Sequence, residues 1–309
     1  MPRPRKIGLE SGVAMSSRSS CSGGGGRHGP DAAAFFQDTL ISSTLNKIQY
    51  KLFVMSGKGG VGKSSVTVNA AAALASRGFS VGILDVDIHG PSVPRLLNLS
   101  GKVEADDRGK LLNPVRYNER LAVISMDSLL RDRDSAVLWR GPKKTAAIRQ
   151  FISDVNWGEL DFLLIDSPPG TGDEHMTVLK TIPDALCIVV TTPQEISLAD
   201  VRKAVNFLQY AKANVLGVVE NMSGLHCPHC RQEIELFKKG GGRLLAEQYG
   251  IAFLGGVPLD PATVTAADKG VPVVFLEGDF PAKHGFLELA DNIAKGAAGS
   301  LEALASSHS

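Results

Sequence analysis

The sequence predicts an α/β protein built on a doubly wound, mostly parallel sheet with helices flanking both faces. Three observations carry that prediction. Short apolar runs at 51–56, 81–86, 162–166, 186–191, 215–220 and 253–257 are nearly continuous in Val, Ile and Leu instead of alternating with polar residues. Helical stretches lie between them: the alanine-rich 64–77, then 198–211 and 241–249. A run of glycines and lysines closes the first strand and opens the first helix. A strand that is apolar at every position is buried on both faces, as parallel strands covered by helices are. In such sheets ligands bind beyond the carboxyl ends of the strands.

The chain has 309 residues, enough for one large α/β domain with tails. The expected division is a flexible tail over 1–45, a single nucleotide-binding domain over 46–295, and a disordered tail over 296–309. The first segment is polar, runs through four glycines from Gly23 to Gly26, and is basic through Arg3, Arg5, Lys6, Arg18 and Arg27. Such a composition buries too little apolar surface to offset its ordering entropy. It reads as a tail, lengthened if Met15 is the true start, or as an Arg- and Ser-rich transit peptide. With 33 basic against 32 acidic residues the net charge is +1, which leaves no electrostatic footprint for nucleic acid. No apolar run approaches the roughly 20 residues of a membrane span. Four cysteines in a chain of this size, two of them close together, point to the cytoplasm, or to the mitochondrial matrix if a transit peptide precedes the domain.

The first strand ends in Gly57-Lys58-Gly59-Gly60-Val61-Gly62-Lys63-Ser64, which fits G-x-x-x-x-G-K-[ST] in its required strand-to-helix setting. Glycines let successive N–H groups turn inward on phosphate oxygens, and the helix N-terminus adds partial positive charge. Gly57 through Ser64, with Ser65 following, are therefore expected to bind ATP. Lys63 is expected to reach the β and γ phosphates and Ser64 to ligate Mg²⁺. Asp166 ends the apolar run 162–166 and suits the same metal; Leu84-Asp85-Val86-Asp87 ends the second strand, with Asp85 expected near the metal and Asp87 orienting the attacking water.

Several further motifs follow in order: Asp87-Ile88-His89-Gly90-Pro91-Ser92, then Asp166-Ser167-Pro168-Pro169-Gly170-Thr171-Gly172-Asp173, then Asn221-Met222-Ser223 ahead of Cys227-Pro228-His229-Cys230. From about residue 52 to about residue 289 the chain resembles the Mrp/ApbC family of iron–sulfur carrier ATPases, whose looser relatives include the MinD and ParA ATPases. The resemblance implies that Lys58, the second lysine of a deviant Walker A loop, crosses a homodimer to the partner's nucleotide. It implies that Cys227 and Cys230, joined by the same pair from a second subunit, hold a labile 4Fe–4S cluster that passes between donors and apo iron–sulfur proteins. Two thiolates separated by two residues supply half of a four-ligand site, so the bare chemistry also admits zinc or a free thiol pair. His226 and His229 are either alternative ligands or solvent-facing loop residues. Cys187, within an apolar run, reads as core. With less weight, the resemblance places Asn221, Pro258 and Asp260 around the adenine and Thr191 to Glu195 at the dimer contact.

The implied function is ATP-hydrolysing cluster transfer. The alternative is a MinD- or ParA-like positioning switch, which would need a basic amphipathic helix or a basic DNA-binding surface. Lys295 is the one basic residue in 287–304, so neither need is met. A reductase resembling the nitrogenase iron protein would carry its cluster cysteines on separate loops, not in one Cys-x-x-Cys.

Overall fold

The computed structural model describes residues 30–87, 90–99, 103–106, 111–126, 141–227, 229–230, 232–234 and 236–306. The strands are β1 (Ile48–Ser56), β2 (Val81–Asp85), β3 (Glu104–Ala105), β4 (Leu112–Asn113), β5 (Val115–Arg116), β6 (Leu121–Ser125), β7 (Leu160–Asp166), β8 (Leu186–Thr191), β9 (Asn214–His226), β10 (Glu233–Ile234) and β11 (Phe253–Leu259). The helices are α1 (Pro30–Leu45), α2 (Lys63–Ser76), α3 (Val93–Leu96), α4 (Gly141–Ser153), α5 (Asp173–Thr181), α6 (Glu195–Tyr210), α7 (Gly241–Tyr249), α8 (Pro261–Asp268) and α9 (Pro281–Ser306). The main sheet runs β10-β9-β8-β1-β7-β2-β6-β5, with β11 also paired to β9. Its central pairings are parallel, and the short β5 and β10 add antiparallel pairs to β6 and β9.

The continuous apolar runs have a direct cause. On β1, Leu52 and Val54 enter one buried cluster while Phe53 and Met55 enter the other. On β7, Phe162 and Leu164 divide from Leu163 and Ile165 in the same way. Strand side chains alternate faces, and here each face meets a helical layer. Alanines 70–73 of α2 are buried in the first cluster beside Phe286, Leu289 and Ile293 of α9. Leu198 and Val201 of α6, Ile148 and Phe151 of α4, and Val178 of α5 cover the second.

Two expected boundaries are corrected. The flexible tail expected over 1–45 does not hold for 30–45, because Pro30–Leu45 is a helix whose Ile41 and Leu45 are buried and whose Asp38 pairs with Arg149 of α4. The disordered tail assigned to 296–309 is helical through Ser306, and Ala297 is fully buried in the α2–α9 cluster. Local polarity suggested tails; the apolar stripes of both segments complete the two cores. Residues 1–29, with Met15 and Cys21, lie outside the described residues, as do Ile88, His89 and Pro228 of the motifs. Among the described residues no helix is long and apolar enough to cross a membrane.

The docking of α1 has a measurable consequence. Ile41→Ala should lower stability by about 2–4 kcal/mol in urea denaturation, the usual cost of emptying a buried aliphatic site. A change within experimental error would mean that α1 does not pack there.

Candidate functional site

The phosphate loop is shaped by close approach as well as by turn geometry. Gly60 and Gly62 have φ of 82° and 79°, in the left-handed region that suits glycine. A Cβ on Gly62 would also overlap the Asn221 side-chain amide, and one on Gly57 would run into the Asp200 carbonyl of α6. Among the described residues no side chain caps the N-terminus of α2 and no acid sits in its first turn. The loop, with Ser56, Ser65, Asp87, Ser92, Leu96 and Pro169, lines a groove of about 260 Å³.

At the back of the groove Lys63 Nζ lies 2.7 Å from Asp166 Oδ2, with both side chains buried. Ser64 Oγ donates to that same oxygen at 2.6 Å, and Thr67 Oγ1 donates to Oδ1 at 2.7 Å. Lys63 Nζ also donates to Ser64 Oγ at 3.1 Å. The parallel register sets Asp85 beside Asp166. Asp85 is fully buried, accepts from the Asp87 N–H at 3.1 Å and from Ser125 Oγ at 3.0 Å, and does not line the groove. Burial, and after it the neighbouring Asp166 carboxylate, push its pKa well above the usual carboxylate range. Asp87, two residues on, lines the groove and accepts from the Gly90 N–H at 3.1 Å. The two acids thus occupy different layers: Asp87 faces the groove, and Asp85 backs Asp166. Lys58 is half-buried at the rim, and among the described residues its ammonium forms no ion pair.

The cysteine pair sits between β9 and β10. β9 is far longer than its apolar run suggested, continuing past Glu220 to His226. Cys227 then donates its N–H to the Gln232 carbonyl at 2.9 Å, and Glu233 pairs back on His226. Cys230 is exposed and Cys227 half-exposed. The Cys227 thiol is held below its ordinary pKa, chiefly by the backbone N–H of Cys230 and then that of His229. Amides aimed at sulfur favour the thiolate, which is the form that binds metal. Among the described residues no group of three or more His, Cys, Asp or Glu side chains could hold a metal ion. Cys187 is core as expected, its thiol pushed up to about 12 by burial.

The remaining expected residues disperse. Asn221 Nδ2 donates to the Val61 carbonyl of the phosphate loop at 2.9 Å. Pro258 and Asp260 lie outside the phosphate groove: Pro258 lines a pocket of about 520 Å³ between β11 and α9, and Asp260 one of about 530 Å³ that Cys227 also lines. The Asp260 carboxylate is spent on two helix starts, accepting from the N–H of Ala262 at 2.9 Å and of Ala282 at 3.2 Å. Within the stretch expected at the dimer contact, Thr191, Thr192 and Pro193 are buried in the chain itself, and Thr192 Oγ1 meets Ser197 Oγ at 2.6 Å. Within that stretch Glu195 is exposed and Gln194 half-exposed, and Ile196 beside them is exposed.

A family model described as ParA, NUBPL iron-transfer P-loop NTPase, matches residues 47–294. The chain belongs to this family. The iron-transfer P-loop NTPase relatives include an iron–sulfur cluster carrier protein of Methanocaldococcus jannaschii, 46% identical over 242 residues, covering 78% of this chain and 83% of the relative. The cytosolic Fe–S cluster assembly factor CFD1 of Saccharomyces cerevisiae is 48% identical over 237 residues, covering 74% and 80%. A solved nucleotide-binding protein of Archaeoglobus fulgidus in complex with ADP is 40% identical, with a TM-score of 0.68 over 77% of this chain and 93% of that one. The cell division ATPase MinD of Pyrococcus furiosus, 22% identical with a TM-score of 0.60 over 80% and 98%, shares the fold. The expected family and fold class are both borne out.

Two residues of this NTPase escaped the sequence reading. Glu220, fully buried on β9, accepts from the N–H of Gly240 and Gly242. An acid closing an otherwise apolar run was the available signal. His175 on α5 is buried edge-on to Phe53 and Phe207, and neither ring nitrogen has a well-formed hydrogen bond. Burial lowers its pKa to about 4 from 6.5, against the opposing pull of Glu174 and the nearby Pro168 carbonyl. Held neutral in the fold but free to protonate when unfolded, it contributes stability that is present above about pH 6.5 and lost as pH falls toward 4. The loss should reach about 3 kcal/mol at most. Urea titrations across that interval should show it in the wild type and a shallower dependence in His175→Leu. Equal slopes would mean that the ring is not held neutral.

Proposed function

We propose that this chain is an ATP-binding and ATP-hydrolysing iron–sulfur carrier that holds a 4Fe–4S cluster between two copies of itself and passes it to apo-proteins. The observation that carries the reading is the shared use of β9. Its Asn221 touches the phosphate loop, and its far end delivers Cys227 and Cys230, two thiols with no third ligand beside them among the described residues. Half a ligand set at an exposed tip is completed by the same half from a second copy. Exposed apolar residues on the surrounding elements suit such a contact: Ile196 of α6, Leu244 of α7, and Ile234 and Leu236 after the cysteines. The names of the relatives, a cluster carrier and a cytosolic assembly factor, point to the same cargo and to a cytoplasmic setting.

Each residue has a role in this reading. The N–H groups of Gly59 to Ser65 hold the phosphates, and Lys63 exchanges Asp166 for the β and γ oxygens. The Ser64 hydroxyl and Asp166 carboxylate are hard oxygen donors 2.6 Å apart and fit Mg²⁺. When bound, the ion offsets the charge of the phosphates. Asp85 acts on that site only through Asp166. Asp87, at the groove wall, orients the water that attacks the terminal phosphorus, giving ADP and phosphate. Lys58 crosses to the partner's nucleotide, where its unpaired charge meets the transferring phosphoryl group. Asn221 borders the base.

Lys58→Ala should keep ADP affinity while reducing ATP turnover by about 10²–10³-fold, the usual effect of removing one electrostatic donor from a transition state. Parallel loss of ADP binding would place Lys58 on its own nucleotide instead. Anaerobic reconstitution with iron and sulfide assays should find one cluster per dimer in the wild type and none when Cys227 and Cys230 are both changed to Ala. A cluster retained by the double variant, or zinc alone in the wild type, would remove the cargo from this reading.

A further inference from the structure

The return of the cysteine segment is fastened to Glu220 of the strand that leads into it, and the next residue of that strand, Asn221, touches the nucleotide loop. β9 enters the segment directly, passing from His226 to Cys227. The segment returns at Gly240, where α7 is about to begin, and that return is bound to Glu220. Glu220 Oε1 accepts the Gly240 N–H at 2.9 Å and Oε2 the Gly242 N–H at 2.6 Å, while Ser223 Oγ donates to Oε1 at 2.5 Å. A buried carboxylate served by three donors is a directional and stiff attachment. The next residue, Asn221, binds the Val61 carbonyl, and its amide fills the space that a Cβ on Gly62 would need.

Glu220 also marks the point where the sheet stops restraining β9 on one side. Pairing with β8 ends at Thr191↔Glu220, whereas pairing with β11 continues, through a register shift, to Leu259↔Leu225. Immediately beyond, Met222 holds φ of 58° and Gly224 φ of 76°. A methionine in the left-handed region is an uncommon and strained conformation, held there by its surroundings. From Asn221 to Cys227 the strand spans at most about 20 Å. A displacement of the phosphate loop at Val61 and Gly62 therefore meets a pivot at 220–224, with the cysteines on its far arm.

Resting on the carrier reading, we propose that Glu220 is a positioning residue that clamps the return of the cysteine segment onto β9, so that nucleotide binding at Val61 and Gly62 changes the exposure of Cys227 and Cys230. The clamp makes the segment move with the strand as one body. Without it, the strand could shift at Asn221 while the segment stayed in place.

The test is the alkylation rate of Cys227 and Cys230 in the full chain, kept anaerobic and free of cluster, at saturating ATP, at saturating ADP and without nucleotide. Cys187 is buried and serves as the internal reference. Nucleotide should change the wild-type rate by about fivefold or more, the lower range of ordinary site-to-site coupling. Glu220→Gln keeps the shape but turns an amide NH₂ toward a backbone N–H; it should still bind nucleotide while the rate loses its nucleotide dependence. A purely structural role would alter the rate but leave that dependence intact, and this result overturns the proposal. If Glu220→Gln does not fold, Ser223→Ala, which removes one of the three bonds, decides the matter by the same criterion. A wild-type rate indifferent to nucleotide also overturns it. Because the cluster is absent throughout, the carrier reading stands or falls separately, on reconstitution.

Discussion

Lys63 and Asp166 face each other inside the protein because two strands run side by side in the same direction. β1 delivers the lysine one loop beyond its end, and β7 ends on the aspartate at the same level. Neither charge could be buried alone; removing one partner of a buried pair typically costs about 3–5 kcal/mol. The pair therefore demands the parallel register, and the register in turn places Asp85 beside Asp166 and Asp87 at the groove wall. Ser64 and Thr67, one turn apart at the start of α2, complete the shell around Asp166. What remains open is the N-terminus of that helix, where among the described residues backbone N–H groups await an anion without a side-chain cap.

The same economy of buried charge recurs on β9. Glu220 follows the apolar run 215–219 of its strand, and N–H groups at the α7 N-terminus hydrogen-bond its carboxylate. A carboxylate at a helix N-terminus is favoured by the helix dipole and by the free amides there. The consequence is mechanical: a loop that bears one exposed and one half-exposed thiol is bound to the body of the sheet next to the phosphate loop. Asp260 works similarly at the end of β11, where one carboxylate caps the first turns of both α8 and α9. Buried acids in this protein fasten connections, and the exposed chemistry is built on what they fasten.

Much of this was legible in the residues. The strand runs of β1, β2, β7 and β8 could be read because burial on both faces leaves every position apolar. The phosphate loop could be read because its spacing follows from how a backbone wraps a phosphate. β6 is five residues, all buried, but has no flanking motif to call attention to it. α1 and the end of α9 read as tails in the sequence because their apolar faces are narrow and set among alanine, serine and glycine. Their helicity depends on the cores they complete more than on local propensity.

Residue types alone determined the sheet class, the phosphate loop with Lys58 and Lys63, the acids at the strand ends, and the pairing of Cys227 with Cys230. Those features are local, since spacing along a few residues dictates the chemistry. Tertiary structure decided which of Asp85 and Asp87 faces the groove, that Thr191 and Thr192 turn inward, and that β9 continues through Met222 and Gly224 to the cysteines. These outcomes hinge on partners far away in sequence: Asp166 and the neighbouring-strand Ser125 for Asp85, and the α7 amides for Glu220. A charge declares itself in the sequence; which neighbour compensates it is settled only when the strands are packed.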